Sequence, residues 1–168
     1  MKYILETERL RLREFNLDDS EFIIELLNSP GWLKFIGDRN VRTTEQAKYY
    51  LENGPLKSYE INGYGLSLVE KKDDSKAIGM CGILNRDSLD NPDIGFAFLP
   101  DFSGQGYALE IASATMIYAK DKLGISKIAA ITVAGNLKSI RLLEKIGLKY
   151  NKEFRFPNSE EELLLYSS

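Results

Sequence analysis

Two glycines, Gly104 and Gly106, give this chain its clearest chemical signal, because they separate an apolar segment from a stretch with helical spacing. The apolar segment is Ile94–Leu99, which Pro100 ends, and small or apolar residues recur at helical intervals from Ala108. A glycine has no Cβ, so the backbone there can adopt a positive φ and let a bulky anion approach. The first N–H groups of a helix have no internal partner and lie at the positive end of its dipole. The pattern therefore predicts a strand, a phosphate-binding turn and a helix, with a glycine turn that binds nothing as the alternative.

Two familiar phosphate loops do not fit this turn. A Walker loop needs Lys-Ser or Lys-Thr directly after its last glycine, and Gly106 is followed by Tyr107-Ala108. The dinucleotide-binding fingerprint needs a glycine or alanine three residues after Gly106, where this chain has Leu109. The turn is therefore predicted to bind a phosphate of another kind of ligand.

The segments that follow the helix come in a characteristic order. A second apolar strand, Lys127–Val133, leads to Asn136, Ser139 and the closing run Leu143–Leu148. This succession resembles the acetyl-coenzyme A-binding core of the GNAT N-acetyltransferases, and in particular the branch of ribosomal-protein N-terminal alanine and serine acetyltransferases. The resemblance extends to the opening Thr7–Arg13 and covers nearly the whole chain.

The resemblance implies a fold and an activity. The expected fold is α+β in α/β/α layers, a GNAT-like mixed and mostly antiparallel sheet of six or seven strands with helices on both faces, as one domain over residues 1–168. The expected activity is transfer of an acetyl group from acetyl-CoA to a primary amine, favoured to be a protein or peptide N-terminal amine, by direct attack on the thioester and without a metal. Two alternatives remain open, which are an acetyltransferase for small amines or antibiotics and an acyl-CoA-binding module without catalysis.

The resemblance also implies which residues bind the coenzyme. Backbone amides of the turn would hold its pyrophosphate, the strand before the turn would pair with its pantetheine arm, and Asn136 would bond to that arm or simply cap its helix. The family pattern has Gln or Arg three residues before the first glycine, where this chain has Asp101. The complete predicted set is Phe96, Ala97, Phe98, Leu99, Ser103, Gly104, Gln105, Gly106, Tyr107, Ala108, Asn136, Ser139 and Arg141.

The catalytic groups are less clear from the sequence. Many relatives have a tyrosine as the acid where this chain has Leu143, so Ser139, one helical turn earlier, is the predicted substitute. Tyr150 is the reserve candidate for the acid, with core packing as its alternative role. Asp93 and Glu70, each at the end of a predicted strand, are the candidate bases, with ordinary solvent exposure as the alternative.

The free energy needed to deprotonate an amine narrows the choice of acceptor. At pH 7 a lysine amine with a pKa of ~10.4 costs roughly 4.6 kcal/mol to deprotonate, whereas an α-amine near ~8 costs about 1.4 kcal/mol. The chain has no histidine to assist, so an α-amine is the easier acceptor. Trp32 and Phe35 are predicted to bind the substrate, or else they fill the core from a loop over Trp32–Gly37.

Composition restricts the wider function. The 168 residues and 43% hydrophobic content suit one domain with its own core. A net charge of −3 argues against nucleic acid or an acidic membrane as a partner, and no run approaches the ~18 apolar residues of a membrane span. A cytoplasmic protein is therefore expected, either monomer or homodimer. Cys81 is the single cysteine and is predicted to be buried and unreactive, and the lack of histidine makes a zinc site improbable.

The remaining elements follow from periodicity, caps and breakers. Glu6–Phe15 alternates leucines with arginines and predicts a strand with a solvated charged face. The predicted helices are one capped by Asn16 that runs to about Asn28, one from Thr44 to about Glu52 that Asn53-Gly54-Pro55 ends, and one from Leu137 to about Ile146. The predicted hairpin joins Tyr64–Glu70 to Ala77–Leu84, and the closing strands are Leu148–Phe156 and Glu162–Tyr166.

Overall fold

The computed structural model describes residues 2–168, and within them eight strands form one mixed sheet in the order β1-β2-β3-β4-β5-β6-β8-β7. Every neighbouring pair is antiparallel except β5 and β6, which are parallel. The strands are β1 (Tyr3–Glu6), β2 (Leu10–Arg13), β3 (Leu66–Lys71), β4 (Ala77–Leu84), β5 (Asp93–Phe98), β6 (Ala129–Thr132), β7 (Lys149–Phe154) and β8 (Leu163–Ser167). The predicted α+β arrangement is confirmed, with eight strands rather than six or seven.

The additional strand comes from the start of the chain. The predicted strand Glu6–Phe15 contains β2, and β1, which ends at Glu6, pairs with β2 as a hairpin whose turn begins at Thr7. Thr7 donates its backbone N–H to the Leu10 carbonyl at 2.8 Å, and its hydroxyl accepts the Leu10 N–H at 3.1 Å. A threonine hydroxyl that satisfies a backbone donor stabilises a turn that the alternation of leucines and arginines does not reveal.

Helices cover both faces of the sheet, as predicted. They are α1 (Ser20–Leu27), α2 (Pro30–Phe35), α3 (Thr44–Leu51), α4 (Lys57–Asn62), α5 (Tyr107–Asp121) and α6 (Leu137–Lys145). Consecutive strand residues point to opposite faces. Leu68 therefore packs in the core with α1 and α3, whereas Val69 packs in the core with α5 and α6. Cys81 is fully buried, and burial raises the pKa of its thiol to about 12, which agrees with the predicted unreactive role.

Two predictions about helices were wrong. Trp32–Gly37 is not a loop, because α2 begins at Pro30, whose fixed φ suits the first position of a helix. The helix that starts at Thr44 does not end at Asn53-Gly54-Pro55 but continues through one π-helical turn into α4. The wider turn accommodates a proline that cannot donate a helical hydrogen bond, and Gly63, with φ of 79°, ends the helix.

The arginines of β2 do not form a solvated face, so this prediction was also wrong. Arg13 is 7% exposed, and its guanidinium donates to both carboxylate oxygens of Asp19 at 2.9 Å. Glu70 lies beside it and also pairs with Arg11 at 3.3 Å. The start of α1 and strand β3 cover these side chains, so the charges are buried as a paired cluster.

Candidate active site

The two parallel strands separate almost as soon as they meet. Within the described chain, β5 pairs with β6 only at Asp93 and Ala129, although β5 continues to Phe98. On its other side β5 pairs with β4 along its whole length, from Asp93 opposite Leu84 to Phe98 opposite Gly79. The edge of β5 that faces β6 therefore offers backbone groups without a strand partner, as the pairing of an extended ligand requires.

A cavity of about 340 Å³ opens where the strands separate. It brings together six of the residues predicted from the sequence, which are Trp32, Phe35, Asp93, Phe96, Asn136 and Ser139. Trp32 and Phe35 come from α2, on one side of the sheet, and Ser139 comes from α6, on the other. The cavity therefore runs through the gap in the sheet and can receive one reactant from each side.

Several further residues line this cavity and were missed by the sequence analysis, namely Arg39, Tyr50, Arg86, Phe156 and Glu161. Arg86 was the one that the sequence could have revealed, because it lies in the turn of the β4–β5 hairpin, seven residues before Asp93. Arg39 lies only four residues after Phe35, whereas Tyr50, Phe156 and Glu161 come from segments that folding alone brings to the gap.

Asp93 has an unusual electrostatic environment for a carboxylate. Its side chain is 1% exposed, and burial raises its pKa from 3.8 to about 6 although Arg86 lowers it. A carboxylate with a pKa near neutrality can both accept and release a proton at physiological pH, as a general base must. This is the property that distinguishes Asp93 from the exposed strand-end carboxylates of the chain.

Glu70, the other predicted base, lies elsewhere. It is 3% exposed, accepts a hydrogen bond from Tyr3 at 3.0 Å and pairs with Arg11 and Arg13. It does not line the cavity. Its carboxylate belongs to the buried charge cluster of β2 and β3, so Glu70 cannot act as a base in the cavity.

The far wall of the cavity belongs to the start of α6. Asn136 caps this helix, as predicted, because its side-chain oxygen accepts the Ser139 N–H at 3.3 Å. Ser139 and the buried Leu143 line the cavity one turn apart, so a serine hydroxyl lies near the position where many relatives have a tyrosine. Tyr150 is 54% exposed and packs edge-to-face on Tyr166, so its predicted core role was wrong, and it does not line the cavity.

The glycine turn lies beyond the end of β5. Gly104 and Gly106 have φ of 75° and 82°, and residues 103–106 are exposed. A Cβ on Gly104 would meet no atom within 4 Å. Within residues 2–168, the N–H groups of residues 104–106 have no acceptor, and Gly106 directly precedes α5. The turn thus has the open surface and unpaired donors of an anion site.

The other predicted coenzyme residues lie between these two features or beside them. Ala97, Phe98 and Leu99 carry the chain from the cavity to the turn, and Tyr107 and Ala108 begin α5. Arg141 is exposed on α6, five residues after Asn136 and two after Ser139. Phe96, Asn136 and Ser139 thus line the cavity, the glycine turn lies beyond the end of β5, and Arg141 lies outside both.

The arrangement of sheet, turn and gap corresponds to a known family. The model of the acetyltransferase (GNAT) domain matches residues 9–149, so the chain belongs to the GNAT acetyltransferase family. Acetyl-CoA is the general acetyl donor of this family, and the protein is an N-acetyltransferase of this class.

Three relatives illustrate the likeness. The chain is 33% identical over 158 residues to the protein YkkB of Bacillus subtilis, covering 90% of this chain and 88% of that one. It is similar to a GNAT-family acetyltransferase structure from Bacillus anthracis, with 25% identity, a TM-score of 0.80 and coverage of 99% and 97%. It has the fold of RimL, a ribosomal L7/L12 α-N-protein acetyltransferase in complex with coenzyme A, with 14% identity, a TM-score of 0.83 and coverage of 99% and 97%.

No group of three or more histidine, cysteine, aspartate or glutamate side chains in the described residues is placed to hold a metal ion. No helix in residues 2–168 is long and apolar enough to cross a membrane.

Proposed function

We propose that this acetyltransferase acetylates the N-terminal α-amine of a protein or peptide, with Asp93 as the general base. The observation that carries the proposal is the buried Asp93 carboxylate in the cavity between β5 and β6, with a pKa of about 6. The amine would enter from the α2 side, and the thioester would lie along the open edge of β5. RimL, which has this fold, is a protein α-N-acetyltransferase and so supports an acceptor of this kind.

The coenzyme would extend from the glycine turn, along the open edge of β5, to the cavity. The backbone amides of residues 103–108, of which that of Ser103 already donates to Pro100, hold the diphosphate at the start of α5. The backbone of residues 96–99 pairs with the pantetheine arm as an added strand, and Asn136 and Arg141 bind from α6. Asp101 places a carboxylate near the turn, but the diphosphate is held by backbone N–H groups, which this side chain leaves unchanged.

The reaction then needs three groups. Asp93 takes one proton from the acceptor ammonium, and the neutral nitrogen attacks the thioester carbonyl, whose oxygen accepts a hydrogen bond from a β5 N–H near Phe96. The C–N bond forms as the C–S bond breaks. Ser139 donates its hydroxyl proton to the departing thiolate and recovers one from the amide nitrogen, while Asp93 returns its proton to solvent. The sum is an amide, free coenzyme thiol and one released proton.

The difference in amine pKa favours an α-amine over a lysine side chain, and it does so for a base of any pKa. Moving a proton from an α-ammonium with a pKa near ~8 to a group at about 6 costs roughly 2.7 kcal/mol. From a lysine ammonium at ~10.4 the same transfer costs roughly 6 kcal/mol. The difference is a factor of several hundred in the population of the reactive amine, which gives an α-amine the advantage without any further contact.

Trp32 provides a second reason to favour a peptide. Its side chain lines the cavity and is 6% exposed, and within residues 2–168 its indole Nε1–H has no acceptor. A buried donor without a partner costs roughly 1–3 kcal/mol, and a peptide oxygen that reaches Nε1 after a shift of the side chain would recover this cost. In a peptide, the carbon that carries the N-terminal amine is bonded directly to a carbonyl group, whereas a polyamine has no carbonyl oxygen.

A panel of amines with acetyl-CoA, monitored by thiol release, tests the proposal. It contains peptides that begin with alanine or serine, the same peptides blocked at the N-terminus but carrying a lysine, spermidine and an aminoglycoside. We expect kcat/KM to be largest for the unblocked peptides. Preference for spermidine or the aminoglycoside would support the small-molecule alternative, and calorimetric binding of acetyl-CoA without turnover of any amine would support the binding module.

A further inference from the structure

The segment Thr7–Arg9 contacts the glycine turn, although it is almost a hundred residues away in sequence. Arg9 donates from Nη1 to the carbonyl of Gln105 at 3.1 Å, inside the turn. Its guanidinium carbon lies 4.3 Å from the ring centroid of Tyr107, the first residue of α5. Its Nη2 lies 3.3 Å from the position that a Cβ on Gly106 would occupy. One cationic side chain thus contacts three consecutive residues of the turn.

Glu110, in the first turn of α5, holds this arginine in place. Its Oε1 accepts from Arg9 Nε at 2.7 Å, and its Oε2 accepts from the Arg9 backbone N–H at 2.9 Å and from the Thr7 hydroxyl at 2.6 Å. Burial raises the pKa of Glu110, but these hydrogen bonds outweigh it and leave the pKa below its ordinary value. The carboxylate is therefore charged at neutral pH and ties the β1–β2 hairpin to the start of α5.

The turn has few other contacts that would keep it in shape. The hydrogen bonds within it are those of Ser103 to Pro100 and of the Gln105 side chain to the Asp101 carbonyl. Fixing a backbone costs conformational entropy, so a turn that is already ordered binds its ligand more tightly than one that must be ordered on binding. Arg9 orders this turn and also places a positive charge beside it.

We propose that Arg9, held by Glu110, is a positioning residue for the coenzyme diphosphate, so that the N-terminal hairpin forms part of the coenzyme site. The inference rests on the proposed function only in that the turn holds this diphosphate. It predicts that replacing Arg9 weakens the binding of an acetyl donor that has a diphosphate and leaves unchanged the use of the same thioester without one.

The test compares Arg9→Gln and Glu110→Gln with the wild type, using two acetyl donors. Acetyl-CoA has the diphosphate, and S-acetylpantetheine has the same thioester and arm without it. For both variants we expect the Kd for coenzyme A and the KM for acetyl-CoA to rise about tenfold, with kcat at saturating acetyl-CoA unchanged. With S-acetylpantetheine, kcat/KM should equal the wild-type value. Arg9→Lys, which keeps the charge without the planar fork, should recover part of the affinity.

Lys72→Gln is the matched control. Lys72 is also cationic and donates to the Thr7 carbonyl at 3.2 Å on the same hairpin, but it pairs with Glu6 and does not contact the glycine turn. This variant should bind coenzyme A as the wild type does. If Lys72→Gln weakened binding as much as Arg9→Gln, a general effect of surface charge would replace the proposed role.

The other outcomes are also decisive. The inference is overturned if Arg9→Gln binds coenzyme A with wild-type affinity, or if it loses the same factor with both donors. If Arg9→Gln does not fold, Glu110→Gln and Arg9→Lys give the same comparison. A wild-type protein that binds no coenzyme A would instead contradict the proposed coenzyme site itself, so the two failures can be told apart.

Discussion

Arg86 donates from Nε to both carboxylate oxygens of Asp93, each at 3.2 Å, at the point where β5 and β6 separate. The two partners differ in burial, because the Asp93 side chain is 1% exposed and that of Arg86 is 36% exposed. The ion pair therefore stabilises the ionised carboxylate less than burial destabilises it. The result is a base that is ionised at neutral pH but close to its pKa.

Replacing Asp93 with asparagine should abolish most of the activity. A general base contributes typically 10²- to 10⁴-fold, so we expect kcat to fall by roughly that factor. In the wild type, kcat should fall as the pH drops through about 6, the pKa at which Asp93 becomes protonated. The pH–rate profile of Asp93→Asn should not show this fall. Asp87→Asn, which changes an exposed carboxylate in the same turn, should keep both rate and profile.

The same substitution should increase stability at neutral pH. The folded-state pKa of Asp93 is raised above 3.8, so its contribution to the free energy of unfolding is full below about 3.8 and is lost as the pH rises through about 6. The loss amounts to roughly 3 kcal/mol. Urea unfolding should show the difference between Asp93→Asn and the wild type growing in favour of the variant between pH 4 and 7. A constant difference would contradict the raised pKa.

Gly104→Glu should weaken coenzyme binding without unfolding the protein. Gly124, just after α5, is a close match for Gly104, because both are exposed with positive φ and a Cβ on either meets no atom within 4 Å. Both substitutions therefore cost a similar backbone strain of about 1 kcal/mol. Only Gly104→Glu places a carboxylate at the diphosphate, so calorimetry should show its Kd for coenzyme A raised at least about tenfold. Equal affinities for the two variants would remove the assignment of the turn.

Ser139→Ala should separate catalysis from binding. The leaving thiolate has a pKa near ~8.5 and gains from a proton donor, so we expect kcat to fall roughly 10- to 100-fold. The Kd for acetyl-CoA should stay within about twofold, because the helix cap uses the Ser139 backbone N–H, which the substitution retains. Asn136→Ala should show the opposite pattern, with weaker binding. Unchanged turnover in Ser139→Ala would exclude this hydroxyl as the acid.

Trp32→Phe should impair only acceptors that carry an oxygen near the amine. The substitution keeps an aromatic wall and removes the buried indole donor, so the free energy of unfolding should change by less than about 1 kcal/mol. We expect the KM of a peptide to rise roughly five- to tenfold, with that of a simple alkylamine unchanged. An equal increase for both acceptors would mean that Trp32 acts through shape alone.

Arg13→Met should destabilise the protein strongly. It would leave the buried Asp19 and Glu70 carboxylates without their shared partner, at a cost of about 3–5 kcal/mol in the free energy of unfolding. The control is Arg42→Met, which breaks a similar bidentate ion pair with Asp38 on the exposed surface. This substitution should lower the free energy of unfolding by at most about 1 kcal/mol. Equal losses of stability in the two variants would show that burial does not strengthen the ion pairs of the β2 cluster.

Much of the fold follows from local rules that the sequence expresses within a few residues. The strand, glycine turn and helix around Gly104 and Gly106 lie where they were predicted, and so do the capping box at Thr43 and the cap at Asn136. The errors arose where local signals conflict. A sequence such as Asn53-Gly54-Pro55 usually ends a helix. Here the helix continues through it, because Leu51 and Pro55 are buried in the core.

The sequence by itself determined the family, the layered fold and the strand, glycine turn and helix, because caps, glycine turns and apolar periods act over short distances. The tertiary structure decided which charges are buried and what they face. Asp93 and Glu70 look alike as strand-end carboxylates, yet one lines the cavity and the other neutralises two arginines. Arg9 finds its partner Glu110 only through folding. A pKa depends on burial and on neighbours in space, and both are set when distant segments pack together.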